Sequence, residues 1–355
     1  VSTPSRPPPA VLEKKRHLNT AKTDNAAPQN YIGFHRRIAV TGDIDSGSGG
    51  VWMGNKLKRK SNNMTRSEMV PTAIPGRLAL LLVGLLSLNM LLGCATGQDP
   101  RLPPITGSQE GTVYAGKFVW IDLLTEDVPA AAAFYEGLFG WRADPSQEDK
   151  TYYLFSKDGR PIGGMIAVDN QDRKAPESLW LLSLSVDDVD RSVAMVKERG
   201  GKLLEGPVDA AGRGRMALVS DPSGAPVMLL RAVGGDPEDA PAGTGEWLWT
   251  DLFTQNAARA GTFYSALAGY RTERIEVGEA QQYNVLKRDG RLRAGMVELQ
   301  WEGLEDNWLP YFRVADIEPA LQEAHRLGGS LILRAEDVAI LADPTGAAFG
   351  IQMDR

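Results

Sequence analysis

Residues 119–123 alternate sides in the manner of a strand and are rich in aromatic and branched side chains. Phe118, Trp120 and Asp122 fall on one side of that alternation, and Val119, Ile121 and Leu123 on the other. The pattern then changes period. Ala131, Phe134, Tyr135 and Leu138 recur at spacings of three and four, which predicts a helix with one apolar face. Thr125 is the expected N-cap and Gly140 the expected stop. The same succession returns at 247–270, where Trp249 stands for Trp120, Asp251 for Asp122, Thr254 for Thr125, Phe263-Tyr264 for Phe134-Tyr135 and Gly269 for Gly140. A repeat of this length is a duplicated unit, so the architecture is predicted to be two like domains.

The rest of each copy agrees. Strands are predicted at 152–156 and 161–168, joined through Asp158-Gly159, a good hairpin turn. A strand at 180–186 leads to a helix at 187–199, stopped by Gly200-Gly201. Strands at 202–204, 215–220 and 226–231 follow, the last two joined by an Asp221-Pro222-Ser223-Gly224 turn. The second copy repeats this order, with Asp289-Gly290, Trp308, Gly328-Gly329 and Asp343-Pro344-Thr345-Gly346 at matching places. The first domain is read as 116–233, a Gly/Pro-rich linker as 234–244, and the second domain as 245–355.

Charge divides the chain differently. Residues 1–93 hold 13 Lys/Arg against 5 Asp/Glu, a net of +8; from Cys94 onward the counts are 26 and 40, a net of −14. The globular part is acidic, so nucleic acid is not an expected partner. Residues 77–94 read RLALLLVGLLSLNMLLGC: a basic residue, then about 15 apolar positions, then a small residue and cysteine. The run is short for a membrane span and suits a signal-peptide core. Leu91-Leu92-Gly93-Cys94 resembles a bacterial lipobox, which implies lipid on Cys94 and cleavage before it; an uncleaved N-terminal anchor is the other reading. Cys94 is also the only cysteine, which excludes an intrachain disulfide. Residues 64–93 are thus read as a lipoprotein signal and 94–115 as a tether, placing the protein on the cell envelope, facing the periplasm where the host has two membranes. Residues 1–63 lack sustained periodicity and are read as disordered or as lying upstream of a start at Met64 or Met69.

Three features taken together carry a family resemblance: the opening strand running into AAAFYEGLFGW, the Gly-Gly after the second helix, and the Asp-Pro-x-Gly turn before the last strand. In this order, and repeated, they resemble the vicinal oxygen chelate superfamily of glyoxalases, bleomycin-resistance proteins and extradiol dioxygenases. The resemblance implies an α+β fold, with each tandem domain built of two βαβββ modules curled into an open half-barrel around a concave face. Metal enzymes of that superfamily place His, Glu or Gln on four strands of each cavity. Carried onto this chain, those places hold Trp120, Ala167, Leu181 and Met228, then Trp249, Glu298, Leu309 and Gly350. Only Glu298 is a hard donor, and one carboxylate does not hold a divalent ion. The three histidines, His17, His35 and His325, do not gather into a site by sequence. No metal or other cofactor is therefore expected, with a divalent ion near Glu298 as the alternative.

The candidate ligand-binding residues are Trp120, Asp122, Met165, Trp249, Asp251 and Met296. Indole and thioether surfaces suit a flat apolar ligand, or else simply fill a core. An inward carboxylate needs a partner, either the following loop with Thr125 or Thr254, or a cationic or hydroxylated ligand. Gly163-Gly164 and Gly295 allow a close approach by a ligand or by another layer. Arg213 and Arg215 are read as a solvated loop, or as a steering charge for an anion. The function that follows is an envelope-anchored, metal-free binder of a small, partly aromatic molecule. A lyase, isomerase or dioxygenase of the glyoxalase type is the alternative.

Overall fold

The computed structural model describes residues 101–107, 111–147, 149–168, 178–276, 282–299, 304–335 and 337–353. The signal, Cys94 and the N-terminal 100 residues lie outside them.

The first domain runs β1 (Phe118–Thr125), α1 (Val128–Phe139), β2 (Arg142–Pro145), β3 (Tyr152–Lys157), β4 (Arg160–Ala167), β5 (Leu179–Ser185), α2 (Val189–Glu198), β6 (Lys202–Ala210), β7 (Gly214–Ser220) and β8 (Pro226–Ala232). The second repeats it as β9 (Trp247–Thr254), α3 (Ala257–Ala268), β10 (Arg271–Glu276), β11 (Gln282–Arg288), β12 (Arg291–Glu298), β13 (Asn307–Val314), α4 (Ile317–Arg326), β14 (Ser330–Arg334), β15 (Val338–Ala342) and β16 (Ala348–Met353). Each domain is two βαβββ modules in one open sheet of eight strands, ordered β2-β3-β4-β1-β5-β8-β7-β6 and β10-β11-β12-β9-β13-β16-β15-β14. Within a module the last strand returns parallel beside the first (β4 on β1, β8 on β5), and the modules meet antiparallel at β1 and β5. The α+β expectation holds.

Local chemistry explains the boundaries, with one correction. The caps of α1 and α3 are Asp127 and Asn256, not Thr125 and Thr254; their side chains accept from Ala130 N and Arg259 N. The threonines sit two residues earlier, where each hydroxyl accepts the backbone N–H of the capping residue. Both helices close on a left-handed glycine, Gly140 (φ 70°) and Gly269 (φ 67°). Short edge strands β2 and β10 supply the second strand of their modules; their largely polar sequences carry no alternation to announce them.

The helical faces of the two domains meet. α1 packs on α4 and α2 on α3, and a single apolar cluster spans both domains. Tyr135, Phe139, Trp141 and Trp180 of the first domain interleave with Phe312 and Phe349 of the second, with ring centroids 5.1–6.1 Å apart. Tyr135 Oη receives Trp180 Nε1 at 3.0 Å and donates to Asp343 Oδ2 across the interface, also at 3.0 Å. The reciprocal pair is Tyr264, which takes Trp308 Nε1 at 2.8 Å and lies beside Asp221. Both acceptors belong to the Asp-Pro-x-Gly turns, whose aspartates also hold their own turn amides. The second glycine of each Gly-Gly faces an aromatic ring of the other domain. A Cβ on Gly201 would stand 3.2 Å from Phe263, and one on Gly329 2.8 Å from Phe134. Phe134, Tyr135, Phe263 and Tyr264 are thus core residues, as their helical spacing predicts.

Candidate ligand site on the helix-free faces

The opposite face of each sheet carries the candidate site. In the first domain, Trp120 and Leu124 of β1 share an apolar cluster with Leu181, Leu218 and Met228, while Ile121 and Leu123 join the helices. Phe118 does not follow Trp120 as alternation predicts. A bulge in the β1–β5 ladder between them turns Phe118 to the helical side, where its ring lies 4.6 Å from Trp308. The β9–β13 ladder shifts at the same place, and Trp247 packs toward the interdomain cluster.

Asp122 is buried and lies at the centre of a polar cluster. Its Oδ1 accepts Trp120 Nε1 at 3.0 Å and Tyr152 Oη at 2.8 Å. Arg213 Nη2 donates to Tyr152 Oη at 2.8 Å, and Arg213 Nη1 lies 3.7 Å from Asp122 Oδ2. The guanidinium stacks on Trp120, 4.8 Å from the ring centroid. Burial raises the Asp122 pKa, against the pull of Arg213 and of the two hydrogen-bond donors. The expected loop or Thr125 partner is therefore replaced by Trp120, Tyr152 and Arg213. Nor is Arg213 a solvated loop residue, being 1% exposed. Arg215 is the one at the surface, bridging Asp190 and Asp209.

The second domain rebuilds the triad. Trp249 Nε1 donates to Asp251 Oδ1 at 3.0 Å and approaches Tyr283 Oη at 3.2 Å; Tyr283 Oη donates to Asp251 Oδ1 at 2.5 Å. Burial pushes the Asp251 pKa up to about 6, moderated by hydrogen bonds from Tyr283, Trp249 and Tyr311. Gly164 and Gly295 make these triads possible. A Cβ at Gly164 would stand 1.9 Å from Tyr152 Oη, and one at Gly295 1.5 Å from Tyr283 Oη. Their close approach is thus to a tyrosine and a carboxylate of the same sheet. Sequence reading does not name Tyr152 or Tyr283; the glycines at 164 and 295 are the signal that points to them.

The two copies differ at the surface. Trp120 is 3% exposed, whereas Trp249 is only half-buried. Arg213 stands eight residues before the turn aspartate Asp221, and the residue eight before Asp343 is Ala335. Trp249 also lines a cavity of about 300 Å³ at the N-terminal ends of β1 and β9, together with Phe118, Trp247, Lys117, Asp239 and Arg293.

Met165 and Met296 do not belong to either site. Met165 pairs with Leu123 and Met296 with Leu252, which places both thioethers in the interdomain core, 0% and 1% exposed. Glu298 likewise alternates away from Trp249 and is exposed at the end of β12. Ile166 and Val297 hold the helix-free positions one residue before Ala167 and Glu298. The superfamily's metal places thus carry Trp120, Ile166, Leu181 and Met228, then Trp249, Val297, Leu309 and Gly350. These groups do not fit a divalent ion, and among the described residues no group of three or more His, Cys, Asp or Glu converges.

Comparison with known proteins agrees with the fold. Residues 117–229 match the Glyoxalase/Bleomycin resistance protein/Dioxygenase superfamily, and residues 247–352 match the Glyoxalase-like domain. The chain is 30% identical over 241 residues to CFP32 of Mycobacterium tuberculosis, which carries a provisional glyoxylase name, covering 65% of this chain and 92% of that protein. It is 30% identical over 261 residues to the anthracycline biosynthesis protein DnrV of Streptomyces peucetius, covering 66% and 92%. The Mn(II)-bound glyoxalase of Novosphingobium aromaticivorans is similar with a TM-score of 0.45 at 15% identity, covering 68% of this chain and 82% of that one. With two copies of the βαβββ pair and these matches across both, the chain belongs to the Glyoxalase/Bleomycin resistance protein/Dioxygenase superfamily.

Proposed function

We propose that this protein binds a small, flat, partly aromatic molecule at Trp249, without a metal, and is held at the cell envelope by a lipid on Cys94. One observation carries the binding reading. Trp249 is half-buried and lines a cavity of about 300 Å³, and its indole N–H is fixed by Asp251 and Tyr283. Anchoring the ring edge pre-orients the ring face for stacking, so little rotamer freedom is lost on binding. The cavity is at the small end of ligand pockets. Kinship with an anthracycline biosynthesis protein supports a planar, oxygenated ring system as the ligand class. The absence of a convergent donor set at the superfamily's metal positions favours binding over metal-assisted chemistry.

Titration of the purified chain with a dihydroxyanthraquinone tests the reading through quenching of tryptophan fluorescence. Trp249→Ala is expected to weaken binding at least about tenfold, the loss of one stacking contact of about 1.5 kcal/mol. Unchanged affinity in that variant overturns the site. Metal analysis of the same preparation tests the rest, since stoichiometric zinc, nickel, manganese or iron would refute the metal-free reading. Cys94→Ser is expected to move the protein from the membrane fraction to the soluble one; no change there removes the anchor.

A further inference from the structure

The first domain's helix-free face is closed by the chain itself. Residues 101–107 run across it as a strap. Leu102 and Ile105, each 7% exposed, complete the cluster of Trp120, Leu181 and Met228. Pro103 O accepts Arg213 Nε at 2.8 Å. Leu102 N donates to Ala211 O at 3.0 Å, beside a single parallel bridge from Arg101 to Ala211, and Thr106 Oγ1 reaches Gly234 O at 3.0 Å. The backbone passes so close to Gly212 that a Cβ there would meet Leu102 O at 2.4 Å.

The strap is not a ninth strand. Pro103 and Pro104 have no N–H, so the segment cannot extend its single bridge into a ladder. What it contributes is an apolar side chain at each end and one carbonyl oxygen on a buried guanidinium. That is the chemistry of a ligand rather than of a sheet. In the second domain the residue at the same distance before the turn aspartate is Ala335, and Trp249 is half-buried.

We propose that the first domain's helix-free face is a second ligand site, for an apolar molecule bearing a carbonyl oxygen, and that residues 102–105 occupy it as an internal ligand. Arg213 is the recognition residue: its Nε takes the carbonyl, its Nη2 holds Tyr152, and its face lies on Trp120. Asp122 faces the guanidinium and balances its charge, so the site selects a neutral carbonyl acceptor rather than a carboxylate. The inference extends the binding reading above to the other domain, and its test is separate.

The test uses the full chain carrying Leu102→Gly and Ile105→Gly, titrated with a dihydroxyanthraquinone. Loosening the strap is expected to add one bound probe per chain over the wild type. That added site is expected to disappear when Arg213→Met is included and to survive Trp249→Ala. Acetyl-Leu-Pro-Pro-Ile-amide is expected to compete for the added site alone. An unchanged stoichiometry in a chain that melts cooperatively overturns the proposal. If the loosened chain does not fold, the wild type answers instead. Excess acetyl-Leu-Pro-Pro-Ile-amide is expected to speed hydrogen exchange of the Leu102 amide several-fold, and an unaltered rate overturns the proposal. Loss of the wild-type site with retention of the added one would sink only the Trp249 assignment.

Discussion

Replacing Asp251 with asparagine should stabilise the protein above neutral pH and leave it nearly unchanged in acid. The folded carboxyl titrates at about 6, against an ordinary value of 3.8, because burial disfavours its charged form. The folded state therefore holds its proton through a range where the unfolded chain has already lost it. Stability falls as pH rises from about 4 to about 6, and the full cost persists above that. The gap corresponds to about 3 kcal/mol. Asparagine retains an oxygen for Trp249 Nε1 and Tyr283 Oη, while its NH₂ takes the place of the acid O–H. The assay is denaturant unfolding of wild type and Asp251→Asn at about pH 4 and about pH 7.5. The variant should be the more stable by up to about 3 kcal/mol at the higher pH, and equal within about 1 kcal/mol at the lower. Asp221, also raised to about 6 by burial, is present in both chains and cancels. A variant that loses stability equally at both pH values would refute the reasoning, because it would mean that the carboxylate itself is needed and burial does not dominate.

Three further substitutions examine the packing around the triads and the interface. Gly295→Ala places a Cβ 1.5 Å from Tyr283 Oη and should cost about 3 kcal/mol in denaturant unfolding. Adding Tyr283→Phe should return part of that loss, because the hydroxyl oxygen is the nearest atom; no recovery would mean that the clash lies elsewhere. Tyr135→Phe removes the hydroxyl shared by Trp180 Nε1 and Asp343 Oδ2. With two buried groups losing a partner it should lower unfolding free energy by about 2 kcal/mol, read from the same melts.

The duplication, most strands and the four helices of the described residues are legible because their periods are strong and occur twice. The Asp-Pro-x-Gly turns and the Gly-Gly pairs were also legible, but not their second use, since Asp343 and Gly329 act on residues of the other domain. Side assignments failed where a local irregularity broke the period. One bulged residue sent Phe118 to the helical face. An offset of one along the hairpin strand put Ala167 and Glu298 where Ile166 and Val297 belong. Met165 and Met296 looked like ligand surface by residue type, yet strand parity takes them into the core. The expected tether at 94–115 was read from composition, which records the prolines but not that Leu102 and Ile105 find an apolar face to cover. Arg213 reads as a solvated loop residue or a steering charge because no local pattern reveals that Tyr152 and Asp122, far away in sequence, receive it.

The two domains keep the same Trp–Asp–Tyr triad and diverge in what faces it, and the physics of burial says which half is committed to structure. An aspartate sealed among apolar groups must be protonated or compensated. In the first domain Arg213 provides compensation, but a buried guanidinium has five donors of its own to satisfy. Tyr152, Asp122 and the strap carbonyl at Pro103 share that demand. Introducing arginine at that position therefore requires an oxygen on the sheet's outer side, and the chain supplies it from its own N-terminal segment. Alanine at 335 makes no such demand, and the second domain can leave Trp249 half-buried. The copy with arginine thus carries an occupant on that face, and the copy with alanine leaves its tryptophan half-buried.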